Sequence, residues 1–160
     1  MWIKCNIDGA SKGNHGSSAC DGIFRDNEAN MLMCFAEPHG ISSSYKAELC
    51  GIMLAIEIAH QNNWNQIWFE TDSSLVVMAI KNSFVIPWNL RNRWSNSMIH
   101  LGSMNFIITH TYREGNQAAD ILANFALSLD QKMYWQDTPL FIREAFGKNK
   151  LCWSNYRFCD

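Results

Sequence analysis

Four acidic residues stand where the sequence pattern would otherwise place apolar or neutral side chains. Asp8 lies near the end of an alternating, strand-like run, and Asp72 directly follows the apolar segment QIWFET. Glu48 and Asp120 each fall in the predicted first turn of a helix. Carboxylates that converge repel one another and raise each other's pKa, so a site that keeps them together usually contains a divalent cation. Oxygen ligands without a supporting Cys or His pair favour magnesium or manganese.

Each acid taken alone has a simpler explanation. Acidic side chains are favoured in the first turn of a helix by the helix dipole, and Asp72 has the position of a helix N-cap. That explanation is adequate for any single residue of the four. Four acids at converging ends of one sheet favour a shared site instead.

The predicted elements that position these acids are those of one mixed α/β domain. Strands are predicted at 2–10, 17–24, 30–36, 66–71 and 104–109, and helices at 45–61, 73–82, 88–100 and 117–129. Serines at 42–44 and 73–74 are candidate helix caps. A three-strand meander followed by two crossover strands predicts a mixed five-stranded sheet with helices on both faces.

The chain is predicted to contain a domain over residues 1–130 and a C-terminal extension over residues 131–160. The extension has a predicted short helix near 139–146 and an aromatic tail (Trp153, Tyr156 and Phe158). Because exposed aromatic side chains at that density are costly, we expect the extension to dock on the domain.

Composition excludes several classes of protein. The 160 residues are 48% hydrophobic, enough for one core, and no run of about 18 apolar residues predicts a membrane span. An early acidic residue argues against a signal peptide. The net charge of −2 argues against a strongly basic, non-specific nucleic-acid binder. The six cysteines form no CxxC pair, so we expect buried thiols in an intracellular reducing compartment, nucleus or cytoplasm, and no zinc site.

Four motifs carry a resemblance to a known family. The segments DGASKGN (8–14), YKAEL (45–49), FETDSSLV (69–76) and HTYREGNQAADILA (110–123) together resemble the ribonuclease H family. Within it they are most similar to plant retroelement-derived, reverse-transcriptase-like RNase H domains. The resemblance covers about residues 1–130. It implies an RNase H-like fold and a metal-dependent endoribonuclease that hydrolyses the RNA strand of RNA/DNA hybrids.

The resemblance also implies a catalytic tetrad. Its members would hold two Mg²⁺ ions, for which Mn²⁺ can substitute, and they are Asp8, Glu48, Asp72 and Asp120. The family has a mobile histidine before the last helix that assists proton transfer or product release, and His110 occupies that position. The other four histidines match no family position and are interpreted as structural: His15, His39, His60 and His100.

Substrate contacts are implied by the same resemblance. Asn14 matches a residue that contacts the minor groove of the hybrid, and Gly9 would let the backbone approach the sugar-phosphate chain. Ser44 and Ser74 fall at polar minor-groove positions where the family often has amides. Lys46 would contact a backbone phosphate. The predicted partner is therefore an RNA/DNA hybrid.

Two other functions remain open at this stage. The first is a catalytically silent nucleic-acid-binding module on the same fold, although such a module would be free to lose acids of the tetrad. The second is a proofreading exonuclease, but those enzymes have Asp-x-Glu on the first strand, and this chain has Asp8-Gly9-Ala10. We expect a monomer, either acting alone or as part of a larger reverse-transcriptase-derived protein.

Overall fold

A computed structural model describes residues 1–13, 16–82, 85–112, 117–137, 139 and 143. The strands are β1 (Ile3–Ser11), β2 (Gly16–Arg25), β3 (Met31–Ser42), β4 (Gln66–Thr71), β5 (Asn105–His110) and β6 (Met133–Trp135). The α-helices are α1 (Ser44–Gln61), α2 (Ser74–Lys81), α3 (Arg91–Gly102) and α4 (Gln117–Ala126). A short 3-10 helix, Trp88–Leu90, precedes α3.

The strands form one mixed sheet in the order β5-β4-β1-β2-β3-β6. β1 pairs antiparallel with β2 and parallel with β4, and β4 pairs parallel with β5. The predicted meander with two crossover strands is therefore confirmed. The sheet has six strands and not the five predicted, because β6 adds antiparallel to β3 at its outer edge. A strand of three residues is too short to leave a periodic signal in the sequence.

The third strand continues six residues beyond its predicted end at residue 36. The added part contains Pro38 and Gly40, and both residue types usually weaken a strand interior. The structure accommodates them with a register irregularity between Ser18 and Ala19 on the neighbouring strand, where Ala19 pairs with Pro38 and Ser18 with Gly40. Gly40 adopts a left-handed conformation with φ of +69°. This β-bulge leaves His39 as the extra residue between two paired positions.

Helices cover both faces of the sheet, as predicted. On one face, apolar side chains of α1, α2 and α3 pack against residues such as Ile7, Phe24 and Phe69. On the other face, α4 packs against Ala19, Ile23, Cys34 and Ala36 through Ala118, Ala119, Leu122 and Ala126. The small side chains of that second core bring α4, and with it Asp120, close to the strands.

Serine caps fix where the first two helices begin. The Ser43 hydroxyl accepts a hydrogen bond from the Lys46 amide at 3.2 Å, and the Ser73 hydroxyl accepts one from the Val76 amide at 3.3 Å. These predicted caps are confirmed. Because α1 begins at Ser44, Glu48 lies in its second turn, and its predicted first-turn placement is wrong. Helix dipole stabilisation of the first turn therefore does not explain why an acid stands there.

The C-terminal segment is described only in part. Phe125 of α4 and Trp135 of β6 are in ring contact, with centroids 6.2 Å apart. The predicted helix near 139–146 lies outside the described residues apart from Pro139 and Arg143, and the aromatic tail lies wholly outside them. Across the described part of the chain, no helix combines the length and apolar character that crossing a membrane requires.

Candidate active site

Parallel pairing of the first and fourth strands brings two of the predicted acids to one edge of the sheet. Ile7 of β1 pairs with Thr71 of β4, so Asp8 and Asp72 occupy equivalent positions next along their strands. Glu48 reaches the same place from α1, and carboxylate oxygens of Asp8, Glu48 and Asp72 lie within 4.8 Å of one another. Three ligand atoms at such separations fit the coordination sphere of one divalent cation.

Asp120 approaches this group from the opposite face of the sheet. It lies in the first turn of α4, which packs on β1 and β2. Its negative charge is close enough to raise the pKa of Asp8. We call Asp8, Glu48, Asp72 and Asp120 the carboxylate cluster.

Asp8 is the member of the cluster most affected by burial. Its side chain belongs to a residue that is only 4% exposed, and its pKa is raised to about 8. Burial is the largest cause, followed by the charge of Asp72, with smaller increases from Asp120 and Glu48. The Gly9 amide opposes the shift by donating a hydrogen bond to Asp8 at 2.8 Å. The oxygen-only donor set and this mutual repulsion both fit a site for a divalent cation, because the cation would offset the repulsion.

A fifth carboxyl group, this one fully buried, lies beside the cluster, and sequence reasoning missed it. Asp21 is fully buried, is the cross-strand partner of Asp8, and neither of its carboxyl oxygens has a hydrogen-bond partner. Its pKa is raised well above the ordinary value, first by burial and then by the charge of Asp8. The available signal was an acid inside the predicted strand 17–24, which was interpreted as an ordinary strand.

Gly9 lets the first strand and the first helix approach closely at the site. A Cβ atom at Gly9 would lie 2.8 Å from both the Cγ and the backbone nitrogen of Glu48, closer than real Cβ atoms come to other atoms. The glycine therefore allows α1 to bring Glu48 next to Asp8. The predicted contact of Gly9 with a sugar-phosphate chain stays a prediction, but the need for glycine already has this structural cause.

His110 stands at the same edge of the sheet as the carboxylate cluster. It is the last residue of β5, one residue beyond the predicted strand end at 109, and pairs with Thr71. Its Nε2 atom lies 3.1 Å from the backbone oxygen of Asp72. The ring is exposed and meets Tyr112 edge-on, with centroids 5.7 Å apart. His110 therefore adjoins the cluster through the backbone of Asp72.

The remaining predicted contact residues lie mainly at helix starts. Ser44 and Ser74 are the first residues of α1 and α2, and both are exposed. Lys46 is partly buried in the first turn of α1. Asn14 lies outside the described residues. Ser44 and Lys46 thus precede Glu48 by four and two residues in α1, and Ser74 follows Asp72 by two residues.

Known proteins with similar sequences and structures were compared with this chain. The model of the reverse transcriptase-like family matches residues 6–126. A protein of Arabidopsis thaliana that is named as a ribonuclease H protein is 33% identical over 130 residues, which are 80% of this chain and 21% of that protein. The chain thus spans about a fifth of the length of that relative. Ribonuclease HI of Halobacterium salinarum is 29% identical over 127 residues, 78% of this chain and 64% of the relative.

Solved structures agree with these sequence matches. The crystal structure of RNase H1 from Halobacterium salinarum superposes with a TM-score of 0.70 at 26% identity, covering 79% of this chain and 98% of that one. LC11-RNase H1, solved in complex with an RNA/DNA hybrid, has a TM-score of 0.68 at 20% identity, covering 78% and 96% of the two chains. The second match shows a shared fold. The chain belongs to the reverse transcriptase-like family of ribonuclease H-fold domains.

Proposed function

We propose that this chain is a metal-dependent endoribonuclease that hydrolyses the RNA strand of RNA/DNA hybrids. The observation that carries the proposal is the convergence of Asp8, Glu48 and Asp72 within 4.8 Å at one edge of the sheet, with the charge of Asp120 acting on Asp8. The names of the relatives support the same reaction, since they are ribonucleases H, and LC11-RNase H1 was solved with a hybrid bound.

The carboxylate cluster would hold the cofactor. Its oxygen donors suit two Mg²⁺ ions, for which Mn²⁺ can substitute, and no sulfur or nitrogen ligand is required. Two such ions, when bound, would activate a water molecule and stabilise the leaving oxygen of the phosphodiester. The four carboxylates supply the negative charge that binds these ions at the sheet edge.

The chain's own side chains orient the site and move protons. The Gly9 amide fixes one oxygen of Asp8 by a 2.8 Å hydrogen bond, which holds the carboxylate in place. His110, 3.1 Å from the backbone oxygen of Asp72, stands beside the cluster without belonging to it. From there it assists proton transfer to the leaving group or the release of product.

Recognition of the substrate depends on the helix starts next to the acids. Ser44 and Ser74 have exposed hydroxyl groups at the N-termini of α1 and α2, where backbone amides and the helix dipole favour phosphate. Lys46 adds a positive charge near the first of these. Together with Gly9 and Asn14 they contact the minor groove and backbone of the hybrid, where 2′-hydroxyl groups distinguish RNA from DNA. We propose that the domain does so as a monomer, alone or within a larger reverse-transcriptase-derived protein.

The proposal is tested with labelled nucleic acids of four kinds. An RNA/DNA hybrid, an RNA duplex, a DNA duplex and single-stranded RNA are each incubated with the protein in Mg²⁺, Mn²⁺ or EDTA and resolved on a gel. We expect cleavage of the RNA strand of the hybrid in either metal and none in EDTA. Equal cleavage of single-stranded RNA would contradict hybrid specificity. Binding of the hybrid without cleavage in either metal would favour the catalytically silent module.

A further inference from the structure

A second cluster of potential ligands lies on the second and third strands, apart from the four carboxylates. Cys20 of β2 and Glu37 and His39 of β3 each offer one ligand atom, and these atoms lie within 4.8 Å of one another. The Cys20 Sγ atom is 3.0 Å from His39 Nε2, and His39 Nδ1 is 3.6 Å from a carboxylate oxygen of Glu37. We call these three residues the mixed-donor cluster.

Strand pairing explains why these three side chains meet. Cys20 pairs directly with Glu37, so both side chains point to the same face of the sheet. His39 is two residues further along β3, on the diagonal that long side chains can span. The β-bulge makes His39 the extra residue between Pro38 and Gly40, and bulges re-aim side chains in this way. Two adjacent strands therefore supply sulfur, nitrogen and oxygen donors to one point.

The three side chains of the cluster differ in burial. Cys20 is fully buried, whereas the side chains of His39 and Glu37 keep 12% and 16% of their surface exposed. The thiol thus forms the floor of the cluster, and the imidazole and carboxylate form its rim. This arrangement matches zinc sites that have three protein ligands and leave the fourth position to water.

Charges of both signs surround the cluster. Glu37 has a cationic partner in Lys132, with 3.4 Å between Nζ and the carboxylate, and the Lys132 side chain is 41% exposed. Arg93 and Lys46 add positive charge near His39, and Arg93 is bound to Glu57 with its Nε atom 2.9 Å from the carboxylate. Burial raises the pKa of the Cys20 thiol well above its ordinary value, and the charge of Glu37 raises it further. A bound cation would offset that second effect.

We propose that Cys20, Glu37 and His39 form a binding site for Zn²⁺, separate from the carboxylate cluster. Thiolate and imidazole ligands select zinc over magnesium, because Mg²⁺ prefers oxygen donors alone. The zinc links β2 to β3 across the bulge. On binding, the thiol loses its proton to solvent, so that Cys20 coordinates as the thiolate. This inference does not depend on the proposed ribonuclease activity.

The test uses Co²⁺ as a spectroscopic substitute for Zn²⁺ on the full-length chain. Excess Mg²⁺ is present to occupy the carboxylate cluster, and a phosphine reductant keeps the thiols reduced. We expect an intense near-ultraviolet thiolate-to-cobalt absorption that saturates at one equivalent and disappears when Zn²⁺ is added. Carboxylate ligands give no such band, so the readout is specific to a cysteine ligand. Zn²⁺ should also raise the melting temperature by mass action.

Matched variants identify the ligands. Cys20→Ala should abolish the band, whereas Cys34→Ala should keep it, because Cys34 is an equally buried thiol that packs on the α4 face. His39→Gln should weaken Zn²⁺ binding by at least about a hundredfold, since even indirect partners of a metal ligand are worth about ten- to a hundredfold. Retention of the band in Cys20→Ala, or unchanged Zn²⁺ affinity in His39→Gln, would overturn the proposal. If Cys20→Ala does not fold, the Zn²⁺ affinity of His39→Gln alone decides the test. Because the His39 side chain is partly exposed, we expect that variant to fold.

Discussion

The two clusters differ in the donors that they offer and in how the chain assembles them. The carboxylate cluster contains only oxygen donors, and its members come from β1, α1, α4 and the residue after β4. The mixed-donor cluster combines sulfur, nitrogen and oxygen, and all its members come from two adjacent strands. Oxygen donors at the ends of several elements suit a hard cation and an accessible substrate. Mixed donors that include a thiolate and an imidazole suit a softer cation.

One row of cross-strand partners on β1, β2 and β3 runs between the two clusters. Gly9 pairs with Cys20, and Cys20 pairs with Glu37, so the row runs from the strand that holds Asp8 to the mixed-donor cluster. The next row, Asp8 and Asp21, points to the opposite face. Adjacent rows therefore carry different chemistry to different faces. Substitutions at Asp8, Asp21 and Gly9 each change one of these two rows.

The largest expected effect is on cleavage activity, and it distinguishes the carboxylate cluster from the mixed-donor cluster. Asp8→Asn should lower the rate of Mg²⁺-dependent hybrid cleavage by about a thousandfold or more, since electrostatic stabilisation by a bound metal is worth several kcal/mol. Cobalt absorption at the mixed-donor cluster should not change. Asp130→Asn, which removes an exposed acid, is the control for charge alone. Near-normal cleavage by Asp8→Asn would exclude Asp8 from the catalytic cluster.

A smaller effect on activity is expected at the rim of the carboxylate cluster. His110→Ala should lower turnover by about ten- to a thousandfold, the range for one positioned acid–base group or somewhat below it. Melting temperature should hardly change, because the ring is exposed and contributes little packing. Turnover and melting temperature are measured on the same preparation, with His100→Ala as the control. Unchanged turnover would show that His110 takes no part in catalysis, which would then depend on the four carboxylates alone.

The carboxylate cluster was predictable from the sequence, whereas the mixed-donor cluster was not. Asp72 directly follows an apolar strand and Asp8 lies near the end of an alternating run, so the pattern indicated both their chemistry and the sheet edge at which they meet. Cys20 and His39 are nineteen residues apart, on strands whose register depends on a bulge. No paired spacing indicates such a site, and His39 was interpreted as structural because it matches no family position. Cross-strand pairing is a tertiary property that local periodicity does not determine.

The fold was predicted to the level of elements but not of their boundaries. Helices on both faces, the meander and the crossover strands followed from periodicity and serine caps. The extension of β3 to Ser42 did not, because Pro38 and Gly40 are strand breakers unless a bulge accommodates them. Asp21 was missed because an acid in a strand is usually on a solvated face, whereas here its neighbours Ala19 and Ile23 pack against α4 and Asp21 is fully buried.

A third prediction concerns Gly9, the residue that lies between the two clusters. Gly9→Ala should destabilise the protein by about 1–3 kcal/mol, the usual cost of overpacking, and lower cleavage as well. The added Cβ would collide with the backbone of Glu48 2.8 Å away, so α1 must move and displace a predicted metal ligand. Gly102→Ala is the control, because no atom lies within 4 Å of a Cβ at that position. Equal free energies of unfolding for the two variants in urea would show that β1 and α1 accommodate the added methyl group without strain.

The smallest expected effect is a change of stability with pH, and it depends on the buried carboxyl groups of Asp8 and Asp21. The pKa of Asp8 is raised to about 8 and that of Asp21 is raised well above its ordinary value. The folded state therefore binds more protons than the unfolded state between the ordinary and the raised pKa values. In EDTA, stability from these groups should be present at low pH and be lost as the pH rises towards about 8.

Asp21→Asn isolates the contribution of Asp21, which has no assigned catalytic role. The variant keeps the side-chain shape but cannot ionise. Its melting temperature should therefore exceed that of wild type by a gap that is small near about pH 4, the ordinary pKa of an aspartate, and grows to a few degrees near about pH 8.5. Mg²⁺ should narrow that gap, because the cation reduces the repulsion between the folded state's acids. Glu28→Gln, a change of an exposed acid in the turn before β3, should leave the pH dependence unaltered. A difference between Asp21→Asn and wild type that stays constant across this range would show that the pKa of Asp21 is the same in the folded and the unfolded state.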